Sequence, residues 1–276
     1  MPFSVNTNLG ALQAYNALAK VNAQTEKAQL RLATTKKINS VADDTSGYNV
    51  GKRLESQTQI QKAQLNNVAS AKNYLATAES ALQQINDYFT QIVGKQIDAK
   101  DPLKDTAAIA KDIRTLAAEI DSILKSTNIN GAQLLASTDG STAVSSPSYD
   151  VGGSAFTVDF ASASYLNSVT LATAVGSSNL QSSTDSTVLT FDTTTVAANV
   201  RSALGRLGNL SQALDSREAY LTSAIANNSV TIGKLFDADM AYEQLNATKG
   251  QIGTQIGVSM LAQLNSAPSA LLSLFR

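Results

Sequence analysis

Cysteine, histidine and tryptophan are all absent from this 276-residue chain. Without cysteine or histidine there is no thiol nucleophile, no imidazole base, no Ser-His-Asp triad and no usual zinc site. Disulfides are excluded too, so cysteine usage says nothing about compartment. Only 5% of residues are aromatic, too few for a large conventional aromatic core. The 21 basic and 22 acidic residues leave a net charge of −1. They are spread along the chain, so no basic face suggests nucleic acid. No apolar run approaches the roughly 18–20 residues of a membrane span. Met1-Pro2-Phe3-Ser4-Val5-Asn6-Thr7-Asn8 lacks a basic n-region and no signal-length apolar run follows it. The plain expectation is a soluble cytoplasmic protein, and a secreted destination requires a route without a cleaved signal peptide.

What the chain has is a heptad pattern at both ends. Ala11, Ala14, Leu18, Val21, Thr25, Ala28 and Leu32 recur at spacings of three and four. Val200, Ala203, Leu207, Leu210 and Leu214 do the same in the last third, and after one full heptad Leu221 and Ala224 resume it. A seven-residue repeat keeps one stripe facing a partner helix, so these segments are built to wind around neighbours. The best-patterned stretch is Val68, Ala71, Leu75, Ala78, Leu82, Ile85, Phe89 and Ile92, preceded by a wetter seam at Gln57, Gln61 and Gln64. The fold class expected is mainly α: an elongated antiparallel coiled-coil bundle formed by the N- and C-terminal segments, with a small β-hairpin and loop insertion between them.

Helix one is expected from about Leu9 to Lys36, with Asn6–Asn8 as capping candidates. A turn follows at 39–47. Helix two fades near Gly94 to Asp101, and Pro102 suits the first turn of the next helix. Helix three carries Ile109, Ile113, Leu116, Ile120 and Ile123 and ends at Asn128-Ile129-Asn130-Gly131, where Gly131 suits a left-handed cap. Between Ser137 and Thr195 the period vanishes. Tyr149–Phe160 reads as two short strands around Gly152-Gly153, and Val188–Phe191 as another strand. Helix four starts near Thr195 and loosens at Asn227-Asn228-Ser229. A last helical segment, Leu235–Leu264, carries Gly250, Gly253 and Gly257 on nearly one face. Those glycines either permit close helix approach or mark fraying.

Candidate chemistry is thin. Gly47-Tyr48-Asn49-Val50-Gly51-Lys52-Arg53 echoes a phosphate loop, but has three residues between the glycines where the motif has four, and Arg after the lysine. A glycine-containing turn feeding a helix accounts for it better. The pairs Asp43-Asp44 and Asp237/Asp239 lack the other oxygen ligands of a calcium loop, and helix-start capping suits them. No cofactor, metal or catalytic residue is expected, and the chain does not read as an enzyme.

The terminal blocks carry the decisive pattern. They are Val5–Asn8, Lys37-Ile38-Asn39-Ser40-Val41-Ala42-Asp43-Asp44-Thr45-Ser46-Gly47, Asn130–Leu135, Asp237-Ala238-Asp239-Met240-Ala241, Ser259–Asn265 and Leu271–Arg276. Together they closely resemble bacterial flagellin, the subunit of the flagellar filament, over roughly residues 1–136 and 196–276. The resemblance implies a hairpin-shaped subunit in three parts. Residues 1–40 with 235–276 would form an inner filament tube, 41–136 with 196–234 a coiled-coil core, and 137–195 a Ser/Thr-rich surface. It assigns subunit assembly to Leu9, Leu12, Leu18, Val21, Leu32, Leu261, Leu264, Leu271, Leu272, Leu274 and Phe275. It assigns the core coiled coil to Val68, Leu75, Leu82, Ile85, Phe89, Ile113, Leu116, Ile120, Leu207, Leu214 and Leu221. The implied partners are further copies of the chain, the flagellar export apparatus, a chaperone for the C-terminal segment, and the filament cap and hook-junction proteins. Nucleic acid and membrane are not among them. The implied location is the extracellular filament, which serves motility.

The chain departs from the family in two places. Its middle is short, so large outer domains are reduced to a hairpin and loops that offer hydroxyls for O-linked sugars. Many flagellins present the region around residues 89–96 to an innate immune receptor. There the usual Arg, Glu and Leu pattern is replaced by Gln91, Gly94 and Lys95, which puts strong receptor activation in doubt. Two other classes stay open: a flagellin-like hook–filament junction protein, and a secreted coiled-coil adhesin that never polymerises.

Overall fold

The computed structural model describes residues 9–129, 132–135, 147–153, 155–159, 180–181 and 184–274, with side chains as far as residue 266. Asn6–Asn8, Gly131 and most of the Ser/Thr-rich middle therefore lie outside the described residues. The described residues form six helices: α1 (Leu9–Thr34), α2 (Thr45–Asp98), α3 (Thr106–Ser126), α4 (Asp185–Thr190), α5 (Thr193–Phe236) and α6 (Met240–Leu274). Two small antiparallel pairs join them: β1 (Asn128–Ile129) with β2 (Ala132–Gln133), and β3 (Ser148–Asp150) with β4 (Ala155–Thr157). The class is mainly α, with a small β element in the middle of the sequence. The chain divides into two compact units, residues 1–58 with 226–276, and residues 59–225.

In the unit of residues 59–225, the heptad stripe of α2 from Val68 to Ile92 is buried along its whole length. It packs with Ile109, Ile113, Ala117, Ile120 and Leu124 of α3, and with Val200, Ala203, Leu207, Leu210, Leu214 and Leu221 of α5. Leu116 and Ile123 are only partly buried, because the stripe of α3 centres instead on Ala117 and Leu124. Lys72 on α2 is tied to both Asp215 and Glu218 on α5. Gln96 Nε2 donates to the carbonyls of Val188 and Phe191, and Thr193 Oγ1 donates to Gln96 Oε1 at 3.1 Å. These contacts pair one end of α2 with the opposite end of α5, so the two helices run antiparallel.

Four sequence expectations are corrected here. Pro102 does not open α3; it lies in the turn before it, and Asp105 caps the helix by accepting from Ala107 N–H at 2.9 Å and Ala108 N–H at 3.3 Å. A carboxylate side chain satisfies the free N–H groups of a first turn, which proline cannot do. Val188–Phe191 is not a strand: Asp185–Thr190 is one short helix that buries Val188. Asn227–Ser229 does not loosen α5, which continues unbroken to Phe236. Helix three also ends at Ser126, and Asn128-Ile129 with Ala132-Gln133 forms a strand pair. The Asn-Gly between those strands is a strong short-range hairpin signal. The hairpin expected around Gly152-Gly153 forms as β3 and β4, with φ of +90° and +93° at the two glycines. L side chains rarely adopt such angles.

In the unit of residues 1–58 and 226–276, α1 and α6 run antiparallel: Leu18 meets Gly257, Val21 meets Gly253, and Thr25 meets Gly250. The segment after α1 lies beside the α5–α6 junction. Lys37 N–H donates to the Phe236 carbonyl at 2.7 Å, and Ala238 N–H donates to the Thr35 carbonyl at 2.9 Å. Phe236 is buried against Gly51, and a Cβ on Gly51 would sit 1.9 Å from its ring. Gly47 and Gly51 thus lie inside α2 and serve packing, which disposes of the phosphate-loop echo.

Candidate assembly surface

The contact between α1 and α6 is made by small residues. A side chain at Gly250 would bring a Cβ to 1.9 Å from Thr25 Oγ1, and one at Gly257 would come to 2.9 Å from Leu18. Of the two readings of these glycines, close approach is the one realised; α6 stays helical through all three. Removing side chains lets backbones approach and gain dispersion contact, which offsets the propensity cost of about 1 kcal/mol per glycine.

Polar groups then fix the pairing. Arg31 Nη1 donates to Glu243 Oε1 at 2.8 Å, and Glu243 is only 4% exposed. Thr254 Oγ1 donates to Asn22 Oδ1 at 2.8 Å. Lys27 Nζ reaches Asp43 Oδ1 at 2.7 Å, and the N–H groups of Asn39 and Ser40 donate to the other carboxylate oxygen. The Lys27 contact and those two backbone donors hold the Asp43 carboxyl well below the usual carboxylate range. Asp44 and Asp239 are helix caps, accepting from Gly47 N–H at 2.9 Å and from Ala241 N–H at 3.0 Å. The carboxylates of Asp43, Asp44 and Asp239 are therefore structural. Among the described residues no group of three or more His, Cys, Asp or Glu is placed to hold a metal ion.

One face of each terminal helix is covered by the other helix, and much of the remainder is apolar and bare. On α1, Leu9 is 60% and Leu12 52% exposed, while Leu18, Val21 and Leu32 are half-buried in the seam. On α6, Leu261 and Leu264 are half-buried. The side chains of Leu271, Leu272 and Leu274, and Phe275 as a whole, lie outside the described residues. Ile252, Ile256, Val258 and Met260 are each more than half exposed. Of these, the sequence pattern singles out only Met260, within the block Ser259–Asn265, and assigns none of the four to assembly. Their signal was available: α6 has just two charged residues, Glu243 and Lys249, and so lacks the charged face of an ordinary surface helix.

Of the residues assigned to the coiled-coil core, Val68, Leu75, Leu82, Ile85, Phe89, Ile113, Ile120, Leu207, Leu214 and Leu221 are all buried, and Leu116 is partly so. Gln91 and Gly94 are exposed, and Lys95 pairs with Asp112 at 2.6 Å. Arg114 is tied to Asp185.

Residues 5–139 match the family model for the bacterial flagellin N-terminal helical region, and residues 192–275 match that for the bacterial flagellin C-terminal helical region. The chain belongs to the flagellin family. Two matched regions flanking a short unmatched middle are what paired terminal helices require. The chain is 27% identical to flagellin FlaB1 of Treponema pallidum, with 99% of each chain covered. It is 29% identical to a flagellin of Listeria innocua, with 98% of each covered. It is 26% identical to a flagellar filament 33 kDa core protein of Treponema phagedenis, with 99% of each covered. Flagellins are structural subunits of the flagellar filament, and this flagellin is one by family membership. No described helix is long and apolar enough to cross a membrane.

Proposed function

We propose that this flagellin polymerises into the helical filament by burying the bare apolar faces of α1 and α6 against the same helices of neighbouring copies, and that the filament so formed drives motility. The observation that carries the reading is the set of large apolar side chains on the terminal helices that nothing within their own unit covers. Contiguous exposed apolar surface marks an interaction site, and each large side chain fully buried contributes roughly 1.5–3 kcal/mol. An interface that does not close on itself propagates as a helix rather than a ring.

In this reading residues 1–40 and 235–276 form the inner tube. Residues 41–136 and 196–234 form the surrounding shell, with 137–195 facing solvent. Leu9, Leu12, Leu18, Val21, Leu32, Leu261, Leu264, Leu271, Leu272, Leu274 and Phe275 supply assembly contacts. The subunit leaves the cell through the flagellum's own export apparatus, held beforehand by a chaperone at its C-terminal segment, and adds beneath a cap distal to the hook junction. With Gln91, Gly94 and Lys95 in place of the family pattern, the region weighs against strong activation of the innate immune receptor.

Electron microscopy of purified subunit added to short filament seeds tests the reading. Wild-type protein is expected to extend the seeds. Ile256→Asp, Leu264→Asp and Leu272→Asp are each expected to give soluble subunits that do not. Normal filaments from all three variants would overturn it.

A further inference from the structure

The paired helices α1 and α6 carry few charges. Between Leu9 and Thr34 they are Lys20, Glu26, Lys27 and Arg31; between Met240 and Leu274 they are Glu243 and Lys249. Lys27 is paired with Asp43, and Arg31 with Glu243. Among the described residues, Lys20, Glu26 and Lys249 have no ion-pair partner, and all three are exposed; Lys20 lines neither of the depressions described next.

Two depressions flank the α1–α6 seam. One, of about 480 Å³, is lined by Lys27, Arg31, Tyr242, Asn246 and Lys249, with Glu243 at its floor. Its ion pairs cancel two of its three cations, leaving the Lys249 ammonium uncompensated. The Nε–H of Arg31 is buried there without a hydrogen-bond acceptor. The other depression, of about 370 Å³, is lined by Asn22, Thr25, Gln29, Gln251 and Gln255, and Glu26 is its sole charge. One flank thus presents an uncompensated cation and an unmet donor, and the other an uncompensated carboxylate on a bed of amides.

We infer that these two flanks are the two halves of one contact between copies of this chain, in which the Glu26 carboxylate of one copy enters the Lys249 notch of the next. The inference rests on the filament reading, because only a heterologous interface brings opposite flanks of the same helix pair together. It adds what apolar burial cannot supply. Apolar faces attract without direction, whereas a single complementary charge pair at the margin fixes which flank meets which and in what register. The other charges on these helices are either paired, as Lys27, Arg31 and Glu243 are, or lie outside both depressions, as Lys20 does, so that pair is decisive. A copy docked on the wrong flank would set Lys249 against Lys249, or Glu26 against Glu26, with no counter-charge nearby.

The test is charge reversal and swap, read as seeded elongation and critical concentration. Circular dichroism of the free subunit serves as a check that folding is unchanged. Glu26→Lys and Lys249→Glu alone are each expected to raise the critical concentration about tenfold, the scale of turning one partly exposed attraction into a repulsion. The double variant, with both charges exchanged, is expected to return to within about twofold of wild type. Lys20→Glu makes the same charge change outside the notch and is expected to leave elongation near wild type. Single variants that elongate normally, a double variant no better than the singles, or Lys20→Glu as damaging as Lys249→Glu would each overturn the contact while wild-type elongation still upheld the filament reading. A wild-type protein that never extends seeds would bring down both together.

Discussion

At Gly250 two opposed terms can be weighed. Replacing a mid-helix glycine by alanine favours the helix by about 1 kcal/mol. Here, however, the added methyl would stand 1.9 Å from Thr25 Oγ1 and 3.0 Å from its Cβ. Thr25 has little freedom to withdraw, because it is β-branched, buried and hydrogen-bonded to the Val21 carbonyl at 2.7 Å. Overpacking of this kind costs roughly 1–3 kcal/mol, so the clash prevails. Gly250→Ala is expected to lower the thermal disassembly midpoint of filaments by several degrees. Gly253→Ala meets only Val21 Cγ1, at 3.2 Å, and is expected to change it little. Equal midpoints for the two variants would refute the argument. The spacing of the glycines was legible in the sequence, but the choice between fraying and close approach was not. It depends on whether a second helix presents small side chains at the facing level, and that is a tertiary fact.

Helices α2 and α5 show the other extreme, where periodicity alone locates the packed stripe. Every heptad position from Val68 to Ile92 is buried, since a sustained seven-residue repeat has one face to offer and neighbouring helices take it. On α3 the sequence pattern runs through Leu116 and Ile123, whereas the fully buried positions are their neighbours Ala117 and Leu124. Leucine and isoleucine stand side by side with them, and a periodicity over so few turns does not separate adjacent positions. In the crowded angle between helices a small alanine allows nearer approach and becomes the more buried residue. Short elements were the hardest to read. Val188–Phe191 is rich in β-formers, yet its neighbours make it one turn and a half of helix, and a single turn is decided by context rather than propensity.

The contrast between units bears on how the free subunit behaves. Phe89 is completely buried in the unit of residues 59–225, so Phe89→Ala is expected to cost about 3–5 kcal/mol of stability. The helices of the other unit carry exposed apolar faces and glycine-rich contacts, and have less to hold them in isolation. Brief proteolysis of free wild-type subunit is therefore expected to trim residues 1–58 and 226–276 first, leaving a fragment near 59–225. In Phe89→Ala that fragment should itself be degraded. A protease that cut 59–225 as fast as the termini would contradict this ordering.

For the whole molecule, the filament reading makes association between copies the event to be measured. Its two contributions respond to salt in opposite directions. Burial of Ile252, Ile256 and their neighbours is strengthened by sulfate, which is excluded from protein surface. Attraction between Glu26 and Lys249 is weakened by any salt, since the Debye length falls from about 30 Å at 0.01 M to about 8 Å at 0.15 M. Sodium sulfate at several tenths molar should then lower the critical concentration of wild-type protein. Sodium chloride raised from 0.01 to 0.15 M should increase it modestly, by less than about fivefold for one partly exposed pair. In Glu26→Gln the sulfate effect should persist, because it belongs to apolar area, while the chloride effect should vanish, because the pair is gone. A chloride response that survives in Glu26→Gln would place the salt-sensitive contact elsewhere on the subunit. A sulfate response lost in that variant would show that apolar burial is not what holds the polymer together.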